Sequence, residues 1–344
     1  KDFQEIQMTG RENQFALYVR DRWNATSRLT LSLGVRMEYY PLMTRADSGI
    51  ERLDLNTWTL LMGGRGDVPE DVGIDMKKMY FAPRLGAMYR LSEKNVIRAS
   101  YGRTINPLPW SRPMRGAYPY DVFLNKTGET YGAATTLAQG IPGFTLPDLS
   151  SGRVQLPVGV FTRTPEQNNV DRGIIQQWNV AFEQRLPWDI SAEIAYVGTA
   201  TDGGYADLNI NYGQPGGGNA ARQYFAIAGT TTVNSWGSRL KSRYKGLQLA
   251  LNRPFRNGLM LKGAYTLSEA KNMADEDGWQ GLTWNHPIKY DDNFALAGFD
   301  RTHVAQLGFL YELPFFKDSQ GAAKAILGGW QINGIGSWYS GTPY

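Results

Sequence analysis

The chain has 344 residues, with 36 lysines and arginines against 32 aspartates and glutamates, so its formal net charge is +4. It contains no cysteine and only two histidines, which excludes a disulfide framework, a thiolate metal site and a histidine-rich metal centre. The basic residues are dispersed, so nucleic acid is not an expected partner. The chain is rich in glycine (39 residues) and in aromatic residues (12 %), and it has no apolar stretch long enough for a transmembrane helix. This composition favours an all-β chain.

Apolar and polar residues alternate along much of the chain. In Leu29–Tyr39 every second residue is apolar and the intervening ones are small or polar, which predicts a β-strand with one apolar and one polar face. Residues 15–23 precede it across a short, turn-like link, so these two segments are predicted to form a hairpin. Four further hairpins follow, with strands at 83–91 and 96–105, 176–185 and 190–199, 244–253 and 259–268, and 303–313 and 330–340.

The links between these ten strands alternate in length. Most links inside a hairpin are short, whereas those between hairpins cover residues 41–79, 106–172, 200–242 and 270–301. Connections of this length are uncommon in compact soluble domains. Short turns at one end and long loops at the other are typical of bacterial outer-membrane barrels, whose apolar band of about 25 Å is spanned by tilted strands of about ten residues. The sequence therefore predicts an antiparallel up-and-down transmembrane β-barrel in the outer membrane, with lipid around it and long extracellular loops.

The polar faces of the predicted strands carry charged side chains. Lipid does not accommodate them, because an arginine or lysine costs about 2–4 kcal/mol at the membrane midplane. They are predicted to face a polar lumen, where two interpretations remain open: contact with a plug or the solute path, and ion pairing between neighbouring strands. These lumen-facing candidates are Arg84, Arg90, Arg98, Glu183, Arg185, Glu193 and Lys262.

Aromatic residues occur near the ends of the predicted strands. Amphipathic rings at both rims of a sheet are typical of the aromatic girdles of membrane barrels, although the ends of a soluble hydrophobic core give a similar pattern. The residues assigned to these interfacial girdles are Trp23, Tyr39, Trp178, Tyr196, Tyr265 and Trp330.

Two polar groups in the last long loop are candidates for chemistry. Asp275 and Asp277 lie in an acidic stretch whose carboxylates suit Ca²⁺, although a solvated loop explains the same composition. No other cofactor is expected. Asp300 and His303 are predicted at the outer rim, either as a ligand or catalytic pair or as residues that bind a neighbouring loop.

Several segments resemble the barrel of TonB-dependent outer-membrane receptors, in particular the Oar-like group that carries a carboxypeptidase-regulatory-like domain. The resemblance rests on the motifs Phe-Ala-Leu-Tyr-Val-Arg-Asp-Arg-Trp at 15–23, Phe-Ala-Pro-Arg-Leu-Gly at 81–86, Ala-Tyr-Val-Gly-Thr at 195–199, Asp-Arg-Thr-His at 300–303 and Gly-Gly-Trp-Gln at 328–331. These segments lie in the predicted strands in the order found in the family, whereas the loops show no such resemblance.

The resemblance implies a barrel of 22 strands that encloses an N-terminal plug and takes energy from an inner-membrane protein of the TonB type. This chain departs from that pattern, because only ten strands are predicted and neither plug nor energy-coupling box is found. The expectation is an internal barrel fragment spanning residues 1–344 of a transporter. Two alternatives remain: an adhesion or structural barrel whose loops bind surface proteins, and an omptin-like protease with Asp300 and His303 at its rim.

Overall fold

The computed structural model describes residues 10–45, 49–108, 130–133, 135–140, 148–157, 159–275, 286–315, 320–321, 325–326 and 328–344. Within these ranges, no helix has both the length and the apolar character needed to cross a membrane. The regular structure is almost entirely β, as the alternating sequence pattern predicts.

The described residues include seventeen strands and the short helix Phe225–Ala228. In chain order the strands are β1 (Gly10–Arg11), β2 (Phe15–Asn24), β3 (Leu29–Tyr39), β4 (Thr44–Arg45), β5 (Glu51–Asp54), β6 (Thr59–Met62), β7 (Met79–Arg90), β8 (Asn95–Ile105), β9 (Arg153–Gln155), β10 (Thr162–Pro165), β11 (Ile174–Arg185), β12 (Ser191–Asn209), β13 (Val233–Arg256), β14 (Leu259–Asn272), β15 (Ala295–Leu296), β16 (His303–Glu312) and β17 (Gln331–Tyr339). The helix α1 (Phe225–Ala228) and the 3-10 turns Asn219–Ala221 and Pro287–Asn293 lie in the long connections.

Ten long strands form one antiparallel sheet in the order β17-β16-β14-β13-β12-β11-β8-β7-β3-β2. All five predicted hairpins are present, so the prediction of ten antiparallel strands is confirmed. The turns inside the hairpins lie at one end of the sheet and the long connections at the other, which are the periplasmic and extracellular ends of such a barrel. Among the described residues, the edge strands β2 and β17 are not paired with each other.

Three strands are longer than the ten or so residues predicted from the sequence. β12 has 19 residues, β13 has 24 and β14 has 14. The ladder between β12 and β13 continues past an irregularity at Asp202 and Gly204 up to Asn209, paired with Asn234. The prediction made these strands too short at their extracellular ends because it followed the apolar side of the alternation, which stops where the strands leave the apolar band.

The register of the ladders assigns every residue to one of two faces, because directly paired residues project to the same side of a sheet. One row of the polar face, here called the inner face, joins Arg84, Gly102, Gln177, Thr199 and Tyr244. The adjacent row of the apolar face, here called the outward face, joins Leu85, Tyr101, Trp178, Gly198 and Lys245.

The buried apolar core lies mainly at the extracellular end rather than in the sheet. We call this region the outer cap; it comprises the long connections with the sheet β5-β6-β9, together with the outer ends of β12 and β13. One core cluster is built around Trp236 and Val72, and a second around Leu60 and Trp58. The sequence pattern identified these segments only as long loops, whereas the structure shows that described parts of the first three long connections fold around these two apolar clusters.

Candidate functional site on the inner face

Three of the predicted lumen-facing residues meet in one ion cluster. Glu183 on β11 is paired directly with Glu193 on β12, and Arg98 on β8 lies beside both. Nη1 of Arg98 is 2.9 Å from Oε2 of Glu183, and its Nη2 binds Glu193. The guanidinium offsets the repulsion between two carboxylates that face each other across a ladder. For these three residues, ion pairing across strands describes the observed contacts.

The other four lumen-facing candidates do not take part in this ion cluster. Within the described part of the chain, Arg84, Arg90, Arg185 and Lys262 make no ion pair. Arg84 lines a cavity of about 570 Å³ on the inner face, whose other polar walls include Ser100, Asn179 and Thr199. Oγ of Ser100 donates to Oδ1 of Asn179 at 2.8 Å. These cations remain available to a plug or a solute, and their role stays a prediction.

The predicted girdle residues lie on the outward face or beside its ends. Trp23 (55 % exposed) and Trp330 (60 % exposed) are at the periplasmic side. Tyr39 lies at the extracellular end of β3, where it stacks on Phe15 with ring centroids 4.7 Å apart. These placements are those expected of an interfacial girdle, and the lipid contact itself stays a prediction.

The remaining three girdle residues lie on the outward face of β11, β12 and β14. Trp178 covers Gly198 so closely that a Cβ at position 198 would overlap the indole. Tyr196 lies two residues before Gly198 on β12, on the side of the periplasmic turn. Tyr265 lies deeper, and its hydroxyl is 2.7 Å from Nδ1 of His303, which gives this polar group a partner on the apolar face.

A buried ion pair in the outer cap escaped the sequence analysis. Arg172 and Glu12 are bonded to each other, with side chains 0 % and 1 % exposed. The guanidinium of Arg172 lies 4.7 Å from the ring centre of Tyr40, and its backbone N–H donates to the hydroxyl of Tyr80 at 2.8 Å. This contact ties the segment before β2 to the cap. No local pattern could reveal it, because the paired residues are 160 positions apart.

A second buried carboxylate lies in the same cap. Burial raises the pKa of Glu51 to about 7, and the ion pair with Arg45 opposes that shift without cancelling it. Glu51 is on β5, outside the membrane-spanning strands. The cap therefore contains a group that titrates near neutral pH.

Of the two calcium candidates in the last long connection, the structure describes Asp275, which contacts the end of β14 and another residue of the same connection. Oδ1 of Asp275 accepts hydrogen bonds from the Asn272 side chain and from the Gly298 N–H, each at 3.0 Å. Asp277 lies outside the described residues, among which no group of three or more potential metal ligands occurs. A loop calcium site stays a prediction.

The rim residues Asp300 and His303 make separate contacts. Oδ1 of Asp300 accepts from the Ala270 N–H at 2.7 Å, whereas His303 binds Tyr265. No hydrogen bond joins Asp300 to His303, although both residues are described. The arrangement is that of two residues that fix neighbouring strands.

Comparison with solved structures gives remote similarities. The ferripyoverdine receptor of the outer membrane of Pseudomonas aeruginosa is 13 % identical with a TM-score of 0.47, over 96 % of this chain and 29 % of that one. The alcaligin outer-membrane receptor FauA from Bordetella pertussis is 14 % identical with a TM-score of 0.42, over 96 % and 38 %. The siderophore receptor PiuA from Acinetobacter baumannii is 12 % identical with a TM-score of 0.44, over 88 % and 31 %. The chain thus spans about a third of the length of these structures.

Sequence comparisons give the assignment. No curated protein matches the chain. The profile of the outer membrane beta barrel domain matches residues 1–344, which is the whole chain. This family describes a membrane barrel rather than an enzyme, in agreement with the ten-stranded antiparallel sheet and its apolar outward face. The chain therefore belongs to the outer-membrane β-barrel domain family and is a protein of the bacterial outer membrane.

Proposed function

We propose that the chain forms part of the barrel of a TonB-dependent receptor of the Oar-like group, which moves a scarce or large solute across the outer membrane. The observation that carries this proposal is the division of the sheet into an apolar outward face and a charged inner face. A ring of strands with this division encloses a polar interior. The resemblance of the strand motifs to those of the receptor family supports the same function.

The inner face has the chemistry to hold a plug. Arg84, Arg90, Arg185 and Lys262 present cations without ion-pair partners among the described residues, and charged groups of this kind bind carboxylates through charge-assisted hydrogen bonds. The proposed partners are an acidic surface of a plug domain and, through it, an inner-membrane protein of the TonB type.

The open edges of the sheet support the proposal that the ten strands belong to a larger barrel. β2 and β17 each have one unpaired side in the described structure. In lipid, each backbone group without a hydrogen bond costs several kcal/mol. Further strands pairing with both edges would remove this cost and give the wide barrel that a plug requires.

Site-specific photocrosslinking in the full-length protein tests the proposal. A photoreactive side chain at position 84 faces the inside, and the same side chain at position 85 faces outward, one residue away. We expect position 84 to crosslink to a plug segment of the same polypeptide, identified by mass spectrometry, and position 85 to give no protein crosslink. A water-filled channel without a plug would give no protein crosslink at either position.

The outer cap favours a second function, which can coexist with transport. A cap that folds around its own core presents a stable surface to the cell exterior, and such surfaces carry the binding sites of many proteins. The proposed partner is a surface protein. Removal of the cap is expected to abolish the binding of this surface protein to whole cells. A variant that loses transport but still binds the surface protein would separate the two functions.

A further inference from the structure

The segment before β2 carries one buried carboxylate. We call residues 10–14 the strap. Its side chains at Arg11, Asn13 and Gln14 are exposed, whereas the side chain of Glu12 is only 1 % exposed. The backbone of the strap joins the cap through the two-residue ladder between β1 and β4. The strap therefore lies on the extracellular surface and inserts a single acidic side chain below it.

Arg172 and Tyr40 form the pocket that receives this side chain, and we call them the carboxylate slot. The guanidinium of Arg172 lies 4.7 Å from the centre of the Tyr40 ring, and the Arg172 side chain is 0 % exposed. The backbone N–H of Arg172 donates to the hydroxyl of the buried Tyr80 at 2.8 Å. Tyr40 follows β3 and Tyr80 lies on β7, so residues outside the strap position the slot.

Glu12 uses only part of the hydrogen-bonding capacity of the slot. Its Oε1 binds Nη2 of Arg172, whereas Nε and Nη1 of the same guanidinium are buried and have no hydrogen-bond partner among the described residues. Buried donors without partners cost free energy, and a carboxylate that binds an arginine through two nitrogens is held more strongly than one bound through a single nitrogen. A carboxylate from another molecule can approach the guanidinium in this favourable geometry, because the strap does not fix its position.

The strap also shows which kind of backbone fits beside the slot. Gly10 pairs with Arg45 and Arg11 pairs with Thr44 in an antiparallel ladder that ends one residue before Glu12. In the part of the chain that the structure describes, β4 pairs with no strand except β1, so displacement of the strap would free this edge. An extended peptide can add a strand to a free edge and gain main-chain hydrogen bonds. The site therefore suits an extended peptide with an acidic residue rather than a free carboxylate.

We propose that the carboxylate slot and β4 form a binding site for an acidic, extended peptide at the cell surface, and that the strap occupies this site as an internal ligand. The buried cation of Arg172 selects the acidic side chain, and the edge of β4 selects the extended backbone. A two-residue ladder and one ion pair hold the strap, so a peptide that makes both contacts can displace it. The proposal concerns the outer cap and depends neither on transport nor on the surface-protein binding proposed above.

Peptide binding to the full-length protein in detergent tests the proposal. The probe is a fluorescent peptide with the sequence of residues 8–14, Met-Thr-Gly-Arg-Glu-Asn-Gln, and the readout is its fluorescence anisotropy. Glu12→Ala empties the slot and is expected to bind the probe roughly tenfold more tightly than the wild type, because the wild-type strap competes at a high effective concentration. The matched control is Glu70→Ala, which removes an exposed carboxylate of the cap and is expected to bind the probe as weakly as the wild type.

Two further probes test the chemistry of the site. The same peptide with glutamine in place of its glutamate is expected to bind Glu12→Ala roughly tenfold more weakly, because it lacks the charge-assisted hydrogen bonds to the guanidinium. Millimolar N-acetylglutamate, which carries the carboxylate without a strand, is expected not to displace the probe.

Three results would overturn the proposal. They are a probe affinity of Glu12→Ala no higher than that of the wild type, equal binding of the two peptides, and full displacement of the probe by N-acetylglutamate. Limited proteolysis verifies that the cap of each variant is folded. If the cap of Glu12→Ala is unfolded, Glu12→Gln takes its place, because it removes the charge and keeps the size of the side chain.

Discussion

The membrane-spanning part of the sheet and the outer cap shield their apolar side chains from water in opposite ways. On the spanning strands, large apolar side chains are exposed, such as Leu17 at 68 % and Leu249 at 41 %. In the cap, Leu60 and Trp236 are completely buried. The spanning part relies on lipid to cover its apolar face, whereas the cap buries its apolar residues against one another. The two regions should therefore respond differently to mutation and to pH.

The largest expected effect is on the cap core. Trp236 is fully buried, with its ring centre 6.1 Å from that of Tyr205. Trp236→Ala is expected to destabilise the cap by about 3–5 kcal/mol, because it leaves a cavity in a packed core. Limited proteolysis of the cap should then occur at a lower temperature, while heat-modifiable migration of the barrel persists. Trp188→Ala is the control, since Trp188 is 79 % exposed. Simultaneous loss of cap and barrel would refute their separate stabilisation.

The two faces of β13 provide the second comparison. Leu249 projects outward and the adjacent Gln248 projects inward. Leu249→Arg is expected to cost about 2–4 kcal/mol near the membrane midplane, whereas Gln248→Arg should cost little on a polar face. The measurement is the urea midpoint of unfolding from phospholipid vesicles. Equal midpoints for the two variants would mean that the outward face is not in contact with lipid.

Glu51 predicts a pH dependence confined to the cap. Its pKa is raised from 4.5 to about 7, so the folded cap binds more protons than the unfolded one between these values and its stability falls as pH rises. The full shift corresponds to about 3 kcal/mol. Proteolysis of the cap at pH 5 and pH 8 measures the difference, and Glu51→Gln should abolish it. A wild-type cap that is more stable at pH 8 would show that the ion pair with Arg45 outweighs burial.

The smallest effect is expected where Trp178 covers Gly198. Gly198→Ala would force the indole aside and is expected to cost about 1–3 kcal/mol. Gly102→Ala is the matched control on β8, because nothing lies within 4 Å of a Cβ there. The measurements are the urea midpoint of unfolding and the fluorescence emission of the tryptophans in the two variants. An unchanged midpoint in Gly198→Ala would show that the indole has room to move.

The same comparison explains how far the sequence predicts this structure. Alternation is a local signal, so the ten strands, their hairpins and their two faces follow from segments such as Leu29–Tyr39. The cap is held by distant contacts: Oγ1 of Thr164 accepts from the Leu53 N–H across 111 residues, and Arg172 binds Glu12 across 160. Neither partner carries a local pattern that indicates the other, so these contacts were not predictable from periodicity.

The candidate site on the inner face was likewise predictable only in part. The location of Arg98, Glu183 and Glu193 on the inner face was predictable, since each occupies a polar position of an alternating strand. Their union in one cluster depends on the register between β8, β11 and β12, which alternation alone does not fix. The outer half of β13 was not recognised, because Arg243 and the residues before it lie outside the predicted strand, which begins at residue 244.

The most direct test of the central claim is an accessibility scan of residues 247–252 on β13. Residues 1–344 contain no cysteine, so single cysteines at these positions, in the full-length protein with any cysteine outside this range replaced, can carry a nitroxide spin label in lipid vesicles. We expect positions 247, 249 and 251 to be accessible to oxygen dissolved in the bilayer, and positions 248, 250 and 252 to be shielded from it. Accessibility without this period of two, or odd positions that contact a water-soluble relaxation agent, would contradict the account.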